Sequence, residues 1–292
     1  MGEAASSAGA AVPTDDLGLP VSIPQAVSRV VSLVPSLTET VASCAPGLLV
    51  GATTWCTHPA DLAVTRIGGT KNPDIEATLA LRPDVVLANE EENRRPDLDA
   101  LRSVGVAVWV TRIRDLPEAL SSLRRMITLA CRQPSPAWLD AAASAWQALP
   151  APGSRLPAPG SRLPAPGNLP APGNLPALSS LAAVVPIWRR PWMVLGRDTF
   201  AGDLLARLGV RNVYAGHADR YPRMDINDLR TAGADLVVLP DEPYRFTASD
   251  GPEAFPGSRT ALVSGRHLTW YGPSLTVAPA VLCRQLAAAR IR

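Results

Sequence analysis

Two segments of this chain match at a constant offset of 151 residues. DIEATLALRPDVVLANEE from Asp74 is answered by DINDLRTAGADLVVLPDE from Asp225. Asp74 and Ile75 match Asp225 and Ile226, Asp84 matches Asp235, Val86 matches Val237, and Glu90-Glu91 match Asp241-Glu242. The same shift sets Val34-Pro35 against Val185-Pro186, each read as the end of its half's first strand. Short α/β segments often match by chance, but one register shared over four landmarks favours a duplicated lobe topology. That constraint excludes most folds at once.

Within the first copy, RVVSLVPSLTETVASC reads as a buried strand over Val30–Val34, stopped by Pro35 and followed by a helix. Ser36 or Leu37 is expected near the helix cap, with Glu39 completing a capping box with Ser36. A strand over 48–54, a helix from Ile75 to about Leu81, a strand from Asp84 to Ala88, a helix stopped at Gly105 and a further strand follow. Strands alternating with helices imply βαβ units and mostly parallel sheets. The fold class expected is α/β, with two Rossmann-like lobes. Between the halves, DLPEALSSLRRMITLACRQ has apolar residues at helical spacing with Asp115 as N-cap. A helix of about 16 residues would reach roughly 24 Å, enough to brace two lobes.

Composition sharpens the boundaries. Of 30 prolines, nine fall in residues 149–177, a tandem repeat of LPAPGSR and LPAPGN units that also holds Arg155 and Arg162. These two arginines account for the whole net charge of +2, so no basic footprint of a nucleic-acid binder remains. The repeat is expected to be an extended, solvated insertion, disordered in solution. The domains expected are a flexible segment at 1–28, an N-terminal lobe at 29–114, an interlobe helical linker at 115–148, the proline-rich loop at 149–178 and a C-terminal lobe at 179–292. The start lacks a basic n-region, a continuous apolar region and a lipid-accepting cysteine, so the expected location is cytoplasmic, or extracytoplasmic if the true start lies elsewhere. The four cysteines show no CxxC spacing and read as buried thiols. GxSxG, GxxxxGK[ST], GxGxxG and HExxH are all absent, so the chain is expected not to be an enzyme.

The aromatics are few and half of them sit near strand ends and loops. Trp55 follows the second strand, Trp188 and Trp192 follow the strand opening the second half, and Trp270-Tyr271 lie near the C-terminus; Tyr221, Tyr244 and Phe246 are in loops. Ligands of open α/β sheets bind outside the carboxyl ends of the strands. Facing lobes would wall a cleft with aromatics, suited to a large planar ligand. Half of these side chains are expected to cap the lobe cores instead.

SLVPSLTETV, VGATTWCTHP and IGGTKNPDIEATLALRPDVVLA, with WMVLGRDTFAGDLLARLGVRNV, DINDLRTAGADLVVLP and WYGP in the second half, resemble the iron-siderophore and cobalamin type of substrate-binding protein. Among these helical-backbone metal receptors, the cobalamin binders look closest. The resemblance runs from about Arg29 to Arg292. It implies a class III periplasmic-binding-protein-like fold with a rigid interlobe helix, a ligand held between lobes that move little, and delivery to an ABC permease. The implied ligand is a cobalamin-like corrinoid, with haem or ferric siderophore as alternatives and no resident cofactor. The candidate contacts are Ser36, Trp55, His58, Lys71 and Asn72 from the first lobe, and Trp188, Arg189, Trp192, Arg197, Tyr221, Tyr244, Trp270 and Tyr271 from the second. The tryptophans would stack on the macrocycle, Arg189, Arg197 and Lys71 would meet its acid groups, and His58 is a candidate axial ligand. The family's permease-docking glutamate falls on Glu76; its counterpart is Asn227, with Asp228 beside it. The protein is expected to be a monomer. Two other readings stay open: a cytoplasmic metallochaperone or enzyme using Cys56 and His58 with Glu90, Glu91, Asp241 or Glu242, and an interaction protein that keeps the fold without a ligand.

Overall fold

The computed structural model describes residues 12–149 and 181–291. The chain divides into two compact units. The first takes the chain up to Arg112 together with Ser122–Ser135; the second takes Ile113–Ser121 and the chain from Pro136 onward.

The first unit runs β1 (Val30–Ser32), α1 (Pro35–Cys44), β2 (Leu49–Ala52), β3 (Thr65–Arg66), α2 (Ile75–Ala80), β4 (Val85–Asn89), α3 (Arg95–Ser103) and β5 (Val108–Thr111). Its strands form one parallel sheet in the order β3-β2-β1-β4-β5. β4 and β5 are buried throughout, as strands covered on both faces must be. α4 (Leu116–Arg125) starts in the second unit and ends in the first, where it continues as a π-helical turn, Met126–Ala130. Asp115 caps it as expected, its carboxylate accepting from the Glu118 N–H at 2.8 Å. The stretch 115–148, expected as a separate linker, is thus shared between the units.

The second unit contains α5 (Ala137–Gln147), β6 (Leu181–Val184), β7 (Pro186–Trp188), β8 (Met193–Val194), α6 (Phe200–Arg207), β9 (Val210–Asn212), α7 (Ile226–Thr231), β10 (Leu236–Pro240), β11 (Arg259–Val263), α8 (Gly265–Thr269), α9 (Ala278–Ala287) and β12 (Arg290–Ile291). Its main sheet is ordered β12-β11-β10-β6-β9, and β7 and β8 form a separate hairpin. Read in reverse, β9-β6-β10-β11 repeats the parallel order β2-β1-β4-β5 of the first unit. The core beneath includes Val184, Val194, Leu229, Val237, Leu239 and Phe255.

Duplication is therefore present in the topology, but the offset is not constant. Val30 pairs with Val85 in the first unit, whereas Ala183 pairs with Leu236 in the second. The offset is 151 residues on the later strand and 153 on the earlier one. A slip of two keeps every side chain on its own face of the sheet, so the pattern of apolar residues hides it. One consequence is that Pro35 and Pro186 do different jobs: Pro35 opens α1, whereas Pro186 starts the hairpin. The expected capping box at Ser36 does not form, because Pro35 presets the first helical position and moves the cap to Val34, which has no side-chain acceptor.

The conserved geometry is at the matched aspartates of the two halves. Asp84 accepts from the N–H groups of Ser28 and Arg29 at 2.7 and 2.9 Å and from the Ser28 hydroxyl at 3.1 Å, fastening the entry of β1. Asp235 accepts from the Ala182 N–H at 2.8 Å and fastens β6. The described part of the segment expected to be flexible, 12–28, is anchored. The Asp16 N–H donates to the Val110 carbonyl on the edge strand β5, and its carboxylate takes Arg125 at 2.6 Å, the Arg112 N–H and the Ser122 hydroxyl. An exposed edge is thereby covered; in the second unit β12 covers β11 by antiparallel pairing. The proline-rich repeat, apart from Leu149, lies outside the described residues.

Candidate functional site

In each sheet the chain leaves the central strand to one side and later returns on the other, so a crevice opens at the carboxyl ends of β1 and β4, and of β6 and β10. These are the ligand positions of open α/β sheets. Of the expected site residues, Ser36 follows β1, Trp188, Arg189 and Trp192 belong to the hairpin after β6, and Tyr244 follows β10; the others lie on neighbouring loops.

In the first unit the β4 loop is built on amides. Asn89 Nδ2 donates to the Thr111 carbonyl and hydroxyl, both at 3.1 Å, and its Oδ1 accepts from the Glu91 N–H at 2.9 Å. Asn93 Nδ2 donates to the carbonyls of Leu33 and Thr70, joining the loops after β1 and β3. Both amides are buried, and neither was singled out by sequence, because an isolated asparagine carries no motif. Lys71 donates its ammonium to the Glu91 carbonyl, so it holds this loop. Asn72 closes the adjoining turn with Gly69 through reciprocal backbone bonds of 3.2 Å. Ser36 is buried in the first turn of α1.

Trp55 stands on the loop after β2 with 66% of its surface exposed, its ring over Gly69. Arg66 fastens that loop, donating to the carbonyls of Thr53, Cys56 and Leu62 at 2.9–3.1 Å. His58 Nδ1 shares a hydrogen bond with the Thr57 hydroxyl at 3.1 Å. Cys56 is buried between the Thr38 and Thr53 hydroxyls, and desolvation pushes its thiol pKa up. Such a thiol is a poor source of thiolate. Among the described residues no group of three or more His, Cys, Asp or Glu side chains is placed to hold a metal ion, so the alternative metal set is not assembled. Asp241 instead accepts from the Gly265 N–H at 2.5 Å, and Glu242 from the Trp270 indole at 2.7 Å.

The second unit fills the equivalent place with aromatics and ion pairs. The hairpin β7–β8 presents Trp188, 43% exposed and edge-on to Tyr244 at 5.7 Å between ring centres. Arg189 lies over Trp192 at 5.2 Å and pairs with both Asp250 and Glu253, the latter at 2.6 Å. Partial burial opposes its charge, but the two carboxylates outweigh that and raise the guanidinium pKa. The Tyr244 hydroxyl donates to Asp250 at 2.6 Å, which lowers the Asp250 pKa and raises that of Tyr244.

Several expected contacts are placed elsewhere. Trp192 is partly buried and packs against the core, stacked on Phe246 at 6.0 Å and edge-on to Phe255 at 5.5 Å. Trp270 and Tyr271 are buried, Tyr271 against Phe200, so neither presents a face for stacking. Arg197 is exposed beside Asp198 at 3.8 Å, and Tyr221 lies under the Arg220 guanidinium. Glu76 is exposed in the first turn of α2; Asn227 and Asp228 are exposed in the first turn of α7. A cavity of about 600 Å³ in the second unit is lined by Arg114, Asp115, Glu118, Asp203 and Arg211 among others. It contains no aromatic wall and none of the expected site residues.

No family model matches the chain. It is 22% identical over 266 residues to the vitamin B12-binding protein of Pectobacterium carotovorum subsp. carotovorum (strain PC1), covering 89% of this chain and 88% of that protein. Among solved structures it resembles the periplasmic vitamin B12-binding protein BtuF of Vibrio cholerae, at 15% identity and TM-score 0.62, over 89% of this chain and 97% of that one. A periplasmic heme-binding protein from Pseudomonas aeruginosa matches at 22% identity and TM-score 0.63, over 90% and 94% of the two chains. The chain has the α/β fold of the class III periplasmic binding proteins. These relatives and neighbours are named for binding, in agreement with the expectation that the chain is not an enzyme. The expected cytoplasmic location is corrected by the same comparisons: the neighbours are periplasmic, hence extracytoplasmic, proteins.

Proposed function

We propose that this protein is an extracytoplasmic substrate-binding protein that captures a metal-containing macrocycle, cobalamin in the first place, for an ABC importer. The observation that carries this reading is one exposed tryptophan at the carboxyl ends of the strands in each unit, Trp55 and Trp188. Both stand where open α/β sheets bind their ligands, and exposed indole faces suit a flat macrocycle. Similarity to vitamin B12-binding proteins along most of the chain supports the corrinoid, and the heme-binding neighbours make haem the second reading. Glu76, exposed in the first turn of α2, would meet basic groups of a permease; at the matching position Asn227 is neutral, so charge there would come from Asp228. Exposed charges of this kind set encounter and register more than affinity.

The test is a tryptophan-fluorescence titration with cyanocobalamin and with hemin. Cyanocobalamin is expected to quench with micromolar or tighter affinity, and Trp55→Ala and Trp188→Ala each to weaken binding about three- to tenfold without a change in melting temperature. Quenching by hemin alone would replace the corrinoid by haem. Absence of quenching by both would sink the reading.

A further inference from the structure

Arg189, the arginine over Trp192, already has acidic partners. Arg189 retains only 16% side-chain exposure and is met by two carboxylates, Asp250 and Glu253. Its far face rests on Trp192, which is itself held by Phe246 and Phe255. Each acid is in turn fixed by a second partner: Asp250 by the Tyr244 hydroxyl, Glu253 by the Gly251 N–H at 2.5 Å. Arg190, next along the hairpin, also acts electrostatically on Asp250. Tyr244 connects this ion-paired group to Trp188 at the surface.

Resting on the function proposed above, we infer that Asp250 and Glu253 hold Arg189 as an internal ion pair, so that the second unit recognises a macrocycle by stacking and neutral hydrogen bonds and not through the ligand's carboxylates. The expectation that Arg189 meets an acid group is thereby reversed, and the residues that set the preference are the two acids. Bringing a ligand carboxylate to Arg189 would set a third anion beside the two already at its Nη1, on a guanidinium that is largely out of water, where an uncompensated charge is expensive. A ligand fringed with carboxamides, as a corrinoid is, brings no such charge. A dipropionate porphyrin gains nothing from Arg189.

Two matched pairs of probes read this directly: hemin with its dimethyl ester, and cyanocobalamin with its peripheral monocarboxylic acid. For whichever macrocycle binds, the wild-type protein should hold the acid and neutral forms within about threefold of each other. The double variant Asp250→Asn/Glu253→Gln should then favour the acid form by about tenfold, the size of a charge-assisted hydrogen bond, with a salt dependence that wild type lacks. Glu253→Gln alone, at a half-exposed position, should shift the ratio the same way by less, and serves if the double variant does not fold. A wild-type preference of tenfold or more for an acid form, abolished by Arg189→Gln, overturns the inference while leaving the binding function intact. If no member of either pair binds, the functional reading fails and this inference with it.

Discussion

The two units share four parallel strands in the same order, yet they finish the crevice at their carboxyl ends with different chemistry. In the first, β1 passes straight into α1 at Pro35, and buried amides tie the loops together: Asn93 bridges Leu33 and Thr70, and Asn89 bridges to Thr111. In the second, the hairpin β7–β8 intervenes before α6, and its side chains meet the β10 loop through Trp188–Tyr244 and Arg189–Asp250. Satisfied buried amides fix a loop rigidly without offering it to a ligand. An aromatic hairpin presents rings at the surface. The same duplicated frame therefore carries a polar lock in one copy and an exposed aromatic face in the other, with Trp55 added to the first unit by a separate loop.

If the hairpin is what distinguishes the second unit, the largest effect should come from disturbing its root. Gly196 follows β8, donates its N–H to the Arg220 carbonyl at 2.8 Å, and lies so close to the Asp219 carbonyl that a Cβ would overlap it. Backbone cannot yield as a side-chain tip can. Gly196→Ala should cost about 3 kcal/mol in urea unfolding. Gly51→Ala in β2 of the first unit makes a contrast, because the added methyl meets the end of the Leu81 side chain at 2.5 Å, which can rotate away; about 1 kcal/mol is expected. Equal costs would break the distinction between a pinned hairpin and an adaptable strand.

The next largest effect tests what the units have in common. Asp84 accepts three hydrogen bonds at the entry of its strand and Asp235 one of the same kind. Asp84→Asn should cost about 2 kcal/mol and Asp235→Asn about 1 kcal/mol. Desolvation opposes ionisation of Asp84, but the Ser28 and Arg29 N–H groups, the Ser28 hydroxyl and the Arg29 charge outweigh it and lower the pKa. A carboxyl that is more acidic folded than unfolded stabilises the protein above the unfolded value, roughly 3.9, and loses that contribution as pH falls through the folded value. Wild type should therefore lose stability below about pH 4 more steeply than Asp84→Asn. Parallel curves would show that the fastening does not depend on the charge.

These two cases also show what could be read from the residues alone. The matches of Asp74 with Asp225 and of Asp84 with Asp235 were legible as a repeat, and their offset of 151 residues survives in the fold; that the first pair caps helices and the second fastens strands came from the structure. The two-residue slip of β6 was not legible, since a shift by an even number leaves the alternation of buried and exposed positions unchanged. Pro186 looked like the end of a strand because proline has no N–H to give a ladder; nothing local says that a hairpin follows. For the aromatics, sequence gives proximity to strand ends but not direction. Trp188 faces outward while Trp192, four residues on, packs on Phe246 and Phe255. Asn89, Asn93 and Arg66 were missed because their roles consist of partners distant in sequence.

A smaller effect separates the helices that follow the two first strands. α6 is capped by Thr199, whose hydroxyl accepts from the Gly202 N–H at 3.3 Å, whereas α1 begins at Val34 with no side-chain cap. Thr199→Ala should lower stability by about 1 kcal/mol, and Val34→Thr should not raise it, because Pro35 already presets the helix entry.

The smallest effect concerns the short helices α2 and α7, which are alike in length and in their aspartate caps and whose differences include the exposed Glu76 against Asn227. An acid in the first turn faces the positive end of the helix dipole and stabilises it by about 0.3–1 kcal/mol at low salt. Asn227→Glu should gain less than that, because Asp228 already occupies the same turn and the Asn227 contact with Arg230 is long, at 3.5 Å. A rise in melting temperature at the edge of detection, disappearing in about 0.5 M salt, is the expected result. Charge at this position can then be varied without disturbing the fold, so any change in association with a permease on Asn227→Glu or Glu76→Gln reports on docking alone. A large loss of stability in either variant would instead mean that these helix starts carry structure, and that their difference was set by packing and not by a partner.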